Sequence, residues 1–140
     1  MTFTIFHPSG EDYVALARKE AEEAGFKSLY TVDEVNDTLA SDGVTLVLVN
    51  SICGCAGGIA RPAGKAILEE LNKPIQAVTV FAGQQKEATS RARELFSGFA
   101  PSSPAFAVLE NGAIKGMVER QEIEGFAPEE VVAKLKHLLT

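Results

Sequence analysis

Apolar positions recur along this chain in several spacings, and each spacing predicts an element. Over residues 11–24, Val14, Leu16, Ala17, Ala21 and Ala24 fall mostly on one helical face. Ser9 is the predicted N-cap, Glu11 and Asp12 fill the first turn, and Gly25 stops the helix. The charged series Arg18, Lys19, Glu20, Glu22 and Glu23 reads as a solvated face. Thr31 with Glu34 forms a capping-box pattern that opens a short helix to about Ser41. After the Asp42-Gly43 turn the pattern changes. Val44, Leu46, Val47, Leu48 and Val49 form a run without polar alternation, as in a central, parallel strand covered on both faces.

Residues 59–72 then read as a helix with a late apolar face of Ile67, Leu68 and Leu71. Pro62 lies inside it or at its first turn, where a missing N–H costs nothing. A strand over 75–82 and a helix over 84–97 follow, the latter stopped by Gly98. A proline-rich loop over 99–104 leads to a strand over 105–110. Asn111-Gly112 signals a tight hairpin, with the return strand over 113–119. Ala127-Pro128-Glu129-Glu130 opens a last helix, whose core face is Val131, Val132, Leu135, Leu138 and Leu139. The order predicts an α/β fold: a central mixed four-stranded sheet, helices on both faces, and an N-terminal helical extension. No repeat or linker divides it, so residues 1–140 read as one domain.

Composition narrows the function. With 140 residues, 46% of them hydrophobic, the chain suits a single core. A net charge of −6 argues against nucleic-acid binding. No run approaches the roughly 18 apolar residues of a membrane span. The first eight residues lack a basic region followed by an apolar one, so no signal peptide is expected and the default compartment is the cytoplasm. There a cysteine pair is more often catalytic, metal-binding or redox-sensing than a permanent staple.

Both cysteines lie in the stretch over 50–62, between the most apolar strand and a predicted helix. Strand, cysteine pair and helix N-terminus together suit thiol–disulfide chemistry, because helix amides and the helix dipole stabilise a thiolate. Residues i and i+2 of a strand sit roughly 6.6–7 Å apart. That is at or beyond the upper edge of the usual disulfide Cα separation, about 4.4–6.8 Å. In a helix the two would point about 200° apart. Cys53 and Cys55 therefore need a sharp bend at Gly54, whose missing Cβ tolerates it. The resulting small ring is strained and easily reduced. Two blander readings stand beside this one. The cysteines are small buried residues, or they are half of a metal site, for which His7 and His137 lie near opposite chain ends. Amides of Cys55, Ala56 and Gly57 are candidates to stabilise Cys53. Arg61 either adds charge to the site or is a solvated or salt-paired side chain.

The segment over 51–62 (Ser-Ile-Cys-Gly-Cys-Ala-Gly-Gly-Ile-Ala-Arg-Pro), with Pro101-Ser102-Ser103-Pro104 and Ile123-Glu124-Gly125, resembles the bacilliredoxin family, and the element order resembles the thioredoxin fold. The resemblance implies a thiol–disulfide oxidoreductase that removes bacillithiol, a low-molecular-weight thiol, from protein mixed disulfides. It makes Cys53 the attacking and Cys55 the resolving thiol. It implies bacillithiol as co-substrate, no tightly bound cofactor, and mixed-disulfide client proteins as partners. It also implies a cis-proline at Pro104, with Ser51, Gly54, Arg61, Ser103 and Pro104 as substrate contacts. The chain departs from ordinary thioredoxins in three ways: Ile52 replaces the aromatic residue before the first cysteine, one residue separates the cysteines, and the strand before them carries no acid, only Asn50. Arg120 is followed by Gln121 where the family often has histidine. Rival readings are a disulfide isomerase or general reductase, and a non-enzymatic redox-sensing or metal-binding module.

Overall fold

The fold was analysed in a computed structural model that describes residues 10–140. Helix α1 (Gly10–Ala24) is followed by β1 (Lys27–Ser28), α2 (Val32–Leu39) and β2 (Val44–Asn50). The cysteine loop leads through a π turn (Ala56–Ala60) into α3 (Arg61–Glu70), then β3 (Gln76–Phe81) and α4 (Lys86–Glu94). Strands β4 (Ala105–Glu110) and β5 (Ala113–Val118), a 3-10 turn (Arg120–Glu122) and α5 (Pro128–Leu139) complete the chain.

The sheet has five strands, in the order β1-β3-β2-β4-β5, where the sequence predicts four. The extra strand is the pair Lys27–Ser28, which aligns parallel with Val78 and Thr79 at the sheet edge. Two residues are too few to display a period of two, so no pattern announces it. The predicted N-cap Ser9 and the candidate ligand His7 lie outside the described residues. Leu16, counted on the core face of α1, is instead exposed. Helix α4 ends three residues earlier than the 84–97 span that the sequence predicts, and Phe96 turns into the core beyond it.

Strand β2 is central and flanked by parallel β3 and antiparallel β4. One of its faces sends Leu46 and Leu48 to a core with Phe26, Phe106, Ile67 and Leu135, covered by α1, α3 and α5. The other sends Val47 and Val49 to a core with Val35, Val78, Val80, Ala88 and Ala92, beneath α2 and α4. Burial on both faces is why this strand shows no alternation. Gly64 lets α3 approach the sheet, since a Cβ there would stand 2.8 Å from the Phe26 ring. The Asn111-Gly112 hairpin has φ of 52° and 82°, as a type I′ turn requires. The Asn111 side chain also accepts a 2.8 Å hydrogen bond from the Gly43 amide. The turn thereby fixes the end of the sheet opposite the cysteines.

Candidate active site

The last residue of β2 builds the base of the site. Asn50 is fully buried. Its Nδ2 donates to the Ala17 carbonyl at 3.0 Å, and its Oδ1 accepts from the Ser51 amide at 3.0 Å. The same Oδ1 accepts from Arg61 Nη1 at 2.9 Å. That nitrogen also donates to the Ser51 carbonyl at 2.9 Å, while Arg61 Nε pairs with Glu20 at 2.9 Å. A buried arginine thus ties α1, the end of β2 and the start of α3 together behind the cysteine loop. Of the two readings the sequence allows for Arg61, the salt-paired one holds, although the side chain is buried rather than solvated. Gly57 makes room for it: a Cβ there would meet Arg61 Nη2 at 2.8 Å, and that guanidinium is held from two sides.

In front of this base the chain enters a helix. The Cys53 carbonyl accepts from the amides of Ala56 (3.1 Å) and Gly57 (3.4 Å). Gly54 and Cys55 are already helical, so Cys53 stands just outside the first turn. The 200° divergence of a helical i, i+2 pair therefore does not apply, and the sulfurs come within 3.1 Å. The two thiols are not joined. With the two thiols unbonded, Gly54 adopts no conformation that needs glycine. Its φ is not positive, and a Cβ there would meet nothing within 4 Å. The helical turn, rather than the glycine, converges the pair.

The two thiols differ electrostatically. Partial burial pushes the Cys53 thiol up, but it is outweighed by hydrogen bonds from the Ser51 hydroxyl, the Cys55 thiol and the Ala56 amide, with the Arg120 charge adding to them. The net shift is downward, and the Ser51 hydroxyl lies 3.1 Å from Cys53 Sγ. Cys55 moves the other way. Burial, its hydrogen bond to Cys53 and the charge of Cys53 raise it; Arg120 lowers it and Glu124 raises it further. These are the shifts that separate an attacking thiolate from a protonated partner. Of the three candidate amides, that of Ala56 lowers the Cys53 pKa as well as bonding the Cys53 carbonyl, and that of Gly57 bonds the same carbonyl.

The second loop at this end of the sheet carries Ser103 and Pro104. Their peptide bond is cis, and Pro104 is buried. Ala105, next in sequence, pairs with Val49, which places Pro104 beside the end of β2. Arg120 holds this loop: its Nη1 donates to the Ser103 carbonyl at 3.1 Å, and its amide donates to Ser102 Oγ at 3.4 Å. Its Nε pairs with Glu124 at 3.2 Å, which raises the Arg120 pKa further. The sequence does not nominate Arg120 or Glu124, which reach the cysteines only through the fold. The signals in the sequence are Ile123-Glu124-Gly125, a motif without an assigned role, and Arg120 as the residue before Gln121. Among the described residues no group of three His, Cys, Asp or Glu side chains is placed to hold a metal, and no helix is long and apolar enough to cross a membrane.

Comparison with solved structures supports the fold. An oxidoreductase with a thioredoxin fold superimposes with a TM-score of 0.67 at 13% identity, covering 84% of this chain and 96% of that one. Thioredoxin from Trypanosoma brucei brucei gives 0.58 at 19% identity, covering 83% and 92%. Sequence relatives are much nearer. A bacilliredoxin from Halalkalibacterium halodurans is 58% identical over 136 residues, which is 97% of this chain and 92% of the relative. One from Staphylococcus saprophyticus is 52% identical over 127 residues, covering 91% and 88%. A family model described as Disulphide isomerase matches residues 10–140. With a cysteine pair at the mouth of a thioredoxin-like sheet and relatives of this identity over nearly its full length, the chain belongs to the bacilliredoxin family.

Proposed function

We propose that this protein is a cytoplasmic thiol–disulfide oxidoreductase that strips bacillithiol from protein mixed disulfides. The observation that carries the reading is the opposite shift of two thiols 3.1 Å apart: Cys53 down, Cys55 up. The Cys53 thiolate attacks the small-thiol sulfur of the mixed disulfide. That S–S bond breaks, the client leaves with the electron pair and takes a proton, and the small thiol stays on Cys53. Cys55 then loses its proton and attacks Cys53 Sγ, releasing the small thiol and closing the Cys53–Cys55 disulfide. One mixed disulfide is reduced to two thiols and one dithiol is oxidised, a two-electron exchange. An external thiol reductant resets the pair.

Ser51 serves the first step by hydrogen-bonding the thiolate. Ser103 and Pro104 offer the wall along which an extended client segment lies. Exposed Gly54 leaves room beside the sulfurs, and Arg61 acts from behind as a positioning residue. Isomerase or general reductase activity uses the same first step, and the Disulphide isomerase description of the family model favours keeping it as a second reading. Intact mass of the Cys55→Ala protein separates the two. With bacillithiol disulfide it should trap one small-thiol adduct on Cys53, and restoring Cys55 should release it. Adduct on Cys55 in Cys53→Ala, but none in the reverse variant, would swap the roles. Reshuffling of a scrambled protein disulfide without small-thiol turnover would move the function to isomerase.

A further inference from the structure

A cleft of about 440 Å³ lies between α4 and the loop before Ser103, outside the residues assigned above. Its walls carry Lys86 and Arg93, two cations in a protein of net charge −6. Among the described residues neither has an acidic partner. The acid at the rim, Glu94, is taken by Arg91 at 2.8 Å. Arg93 is half-buried, and among the described residues its side chain hydrogen-bonds from Nη2 to the Ser102 carbonyl at 3.3 Å. Its Nε is buried without an acceptor, as is Oγ1 of Thr89, another lining residue. Burial pushes the Arg93 pKa down, as desolvation of a charge does. Buried or half-buried arginines are ordinarily matched by carboxylates.

The position of the cleft ties it to the thiols. Asn50 pairs with Phe81 across β2 and β3, and its carbonyl accepts from the Ala82 amide at 3.0 Å. Gly83, which lines the cleft, is thus two residues past Phe81, the register partner of the residue that launches the cysteine loop. Pro101, also in the lining, precedes Ser102, whose carbonyl Arg93 holds, and then the Ser103–Pro104 bond. The volume falls in the range of small-molecule sites, about 300–1,000 Å³.

We propose that this cleft is an anion subsite in which Arg93 and Lys86 bind a carboxylate or phosphate group of the small molecule that exchanges at Cys53. Arg93 supplies a planar, forked donor set suited to either oxyanion. Lys86, exposed at the start of α4, supplies a second charge. The role in exchange rests on the redox reading above; anion binding does not.

Two measurements test the two parts. First, inorganic phosphate and malonate are titrated into the reduced protein, following backbone amides and the Arg93 Nε–H by NMR. Saturable shifts at Gly83, Lys86, Ser90 and Arg93, lost in Lys86→Gln and Arg93→Lys, are expected. No shifts there, or shifts that the variants leave unchanged, overturn the site. Second, adduct formation on Cys53 is timed in the Cys55→Ala protein with glutathione disulfide, which carries carboxylates, and with cystamine, which carries none. Lys86→Gln should slow the first about two- to fivefold, the worth of one exposed ion pair, and spare the second. Lys115→Gln, an equal charge change on β5 near the opposite end of the sheet, is the reference. Equal effects of Lys86→Gln and Lys115→Gln on both disulfides overturn the substrate role. Adduct with neither disulfide in the parent defeats the redox reading and with it the substrate role, while the titration still decides whether the cleft binds anions.

Discussion

Two arginines serve the cysteine loop from opposite sides, and they differ in nearly every physical respect. Arg61 lies behind the loop, 8% exposed, with its guanidinium held by Glu20, Asn50 and the Ser51 carbonyl. Arg120 lies in front, its side chain 44% exposed, bridging Ser103 and Glu124. The exposed one, Arg120, lowers the pKa of both thiols by its charge. A buried arginine with its charge already paired contributes position; an exposed one near the thiols contributes potential. The site separates shape from charge.

The sharpest way to break this contrast is Arg61→Ala. It leaves the Ser51 carbonyl and part of Asn50 unmatched inside the protein, so unfolding free energy should fall by about 3 kcal/mol in chemical denaturation. Gly57→Ala attacks the same base by crowding the guanidinium, and a loss of about 1–2 kcal/mol is expected from overpacking. In front of the loop the readout changes from stability to pH. Ser51→Ala removes a donor to the thiolate, so the Cys53 pKa rises and the pH profile of adduct formation moves to higher pH. At pH 7 the smaller thiolate fraction should slow the attack about three- to tenfold. Arg120→Gln moves the profile in the same direction by less, about twofold at low salt, with the difference vanishing at high ionic strength and the denaturation midpoint unchanged. A profile shifted by Arg61→Ala but not by Arg120→Gln would invert the assignment of the two residues.

Most of the scaffold was legible in the chain because its signals are local. The unbroken run of β2, the Asn-Gly turn and the Thr31–Glu34 cap each state their structure within a few residues, and the Thr31 hydroxyl does accept the Glu34 amide at 3.1 Å. The cysteine pair and the Ser103–Pro104 bond were legible through motif and resemblance. What was not legible is what arrives from elsewhere. Glu20 meets Arg61 from 41 residues away. Arg120 meets Ser103 from 17 residues away, on a turn held by mutual bonds of Glu119 and Glu122. Asn50 could be noted as the absence of an acid, but its two-sided hydrogen bonding depends on α1 and α3 both being in place. The helix start was misread for a related reason: Ala-Gly-Gly-Ile-Ala carries no periodicity that distinguishes a widened turn from an ordinary one.

That widened turn has a consequence for the chain's tolerance of length change. From Ala56 to Ala60 the helix holds one residue more per turn than an α-helix, with the Arg61 amide reaching back five residues to the Ala56 carbonyl. Each residue of an α-helix advances the side chains by about 100°. The wide turn therefore absorbs one residue with little change of phase between the thiols and everything after them. The thiols open outward at one end while Arg61 turns inward toward Asn50 and Ile67 meets the core. Delete one residue between Cys55 and Arg61, and the turn can relax to an α-helix with the later side chains nearly in step; add one that the turn cannot absorb, and they fall out of step by about 100°. The interval between the second cysteine and the arginine thus tolerates loss of one residue better than gain, while the residues that must stay small are buried Ala56 and Ala60 and crowded Gly57.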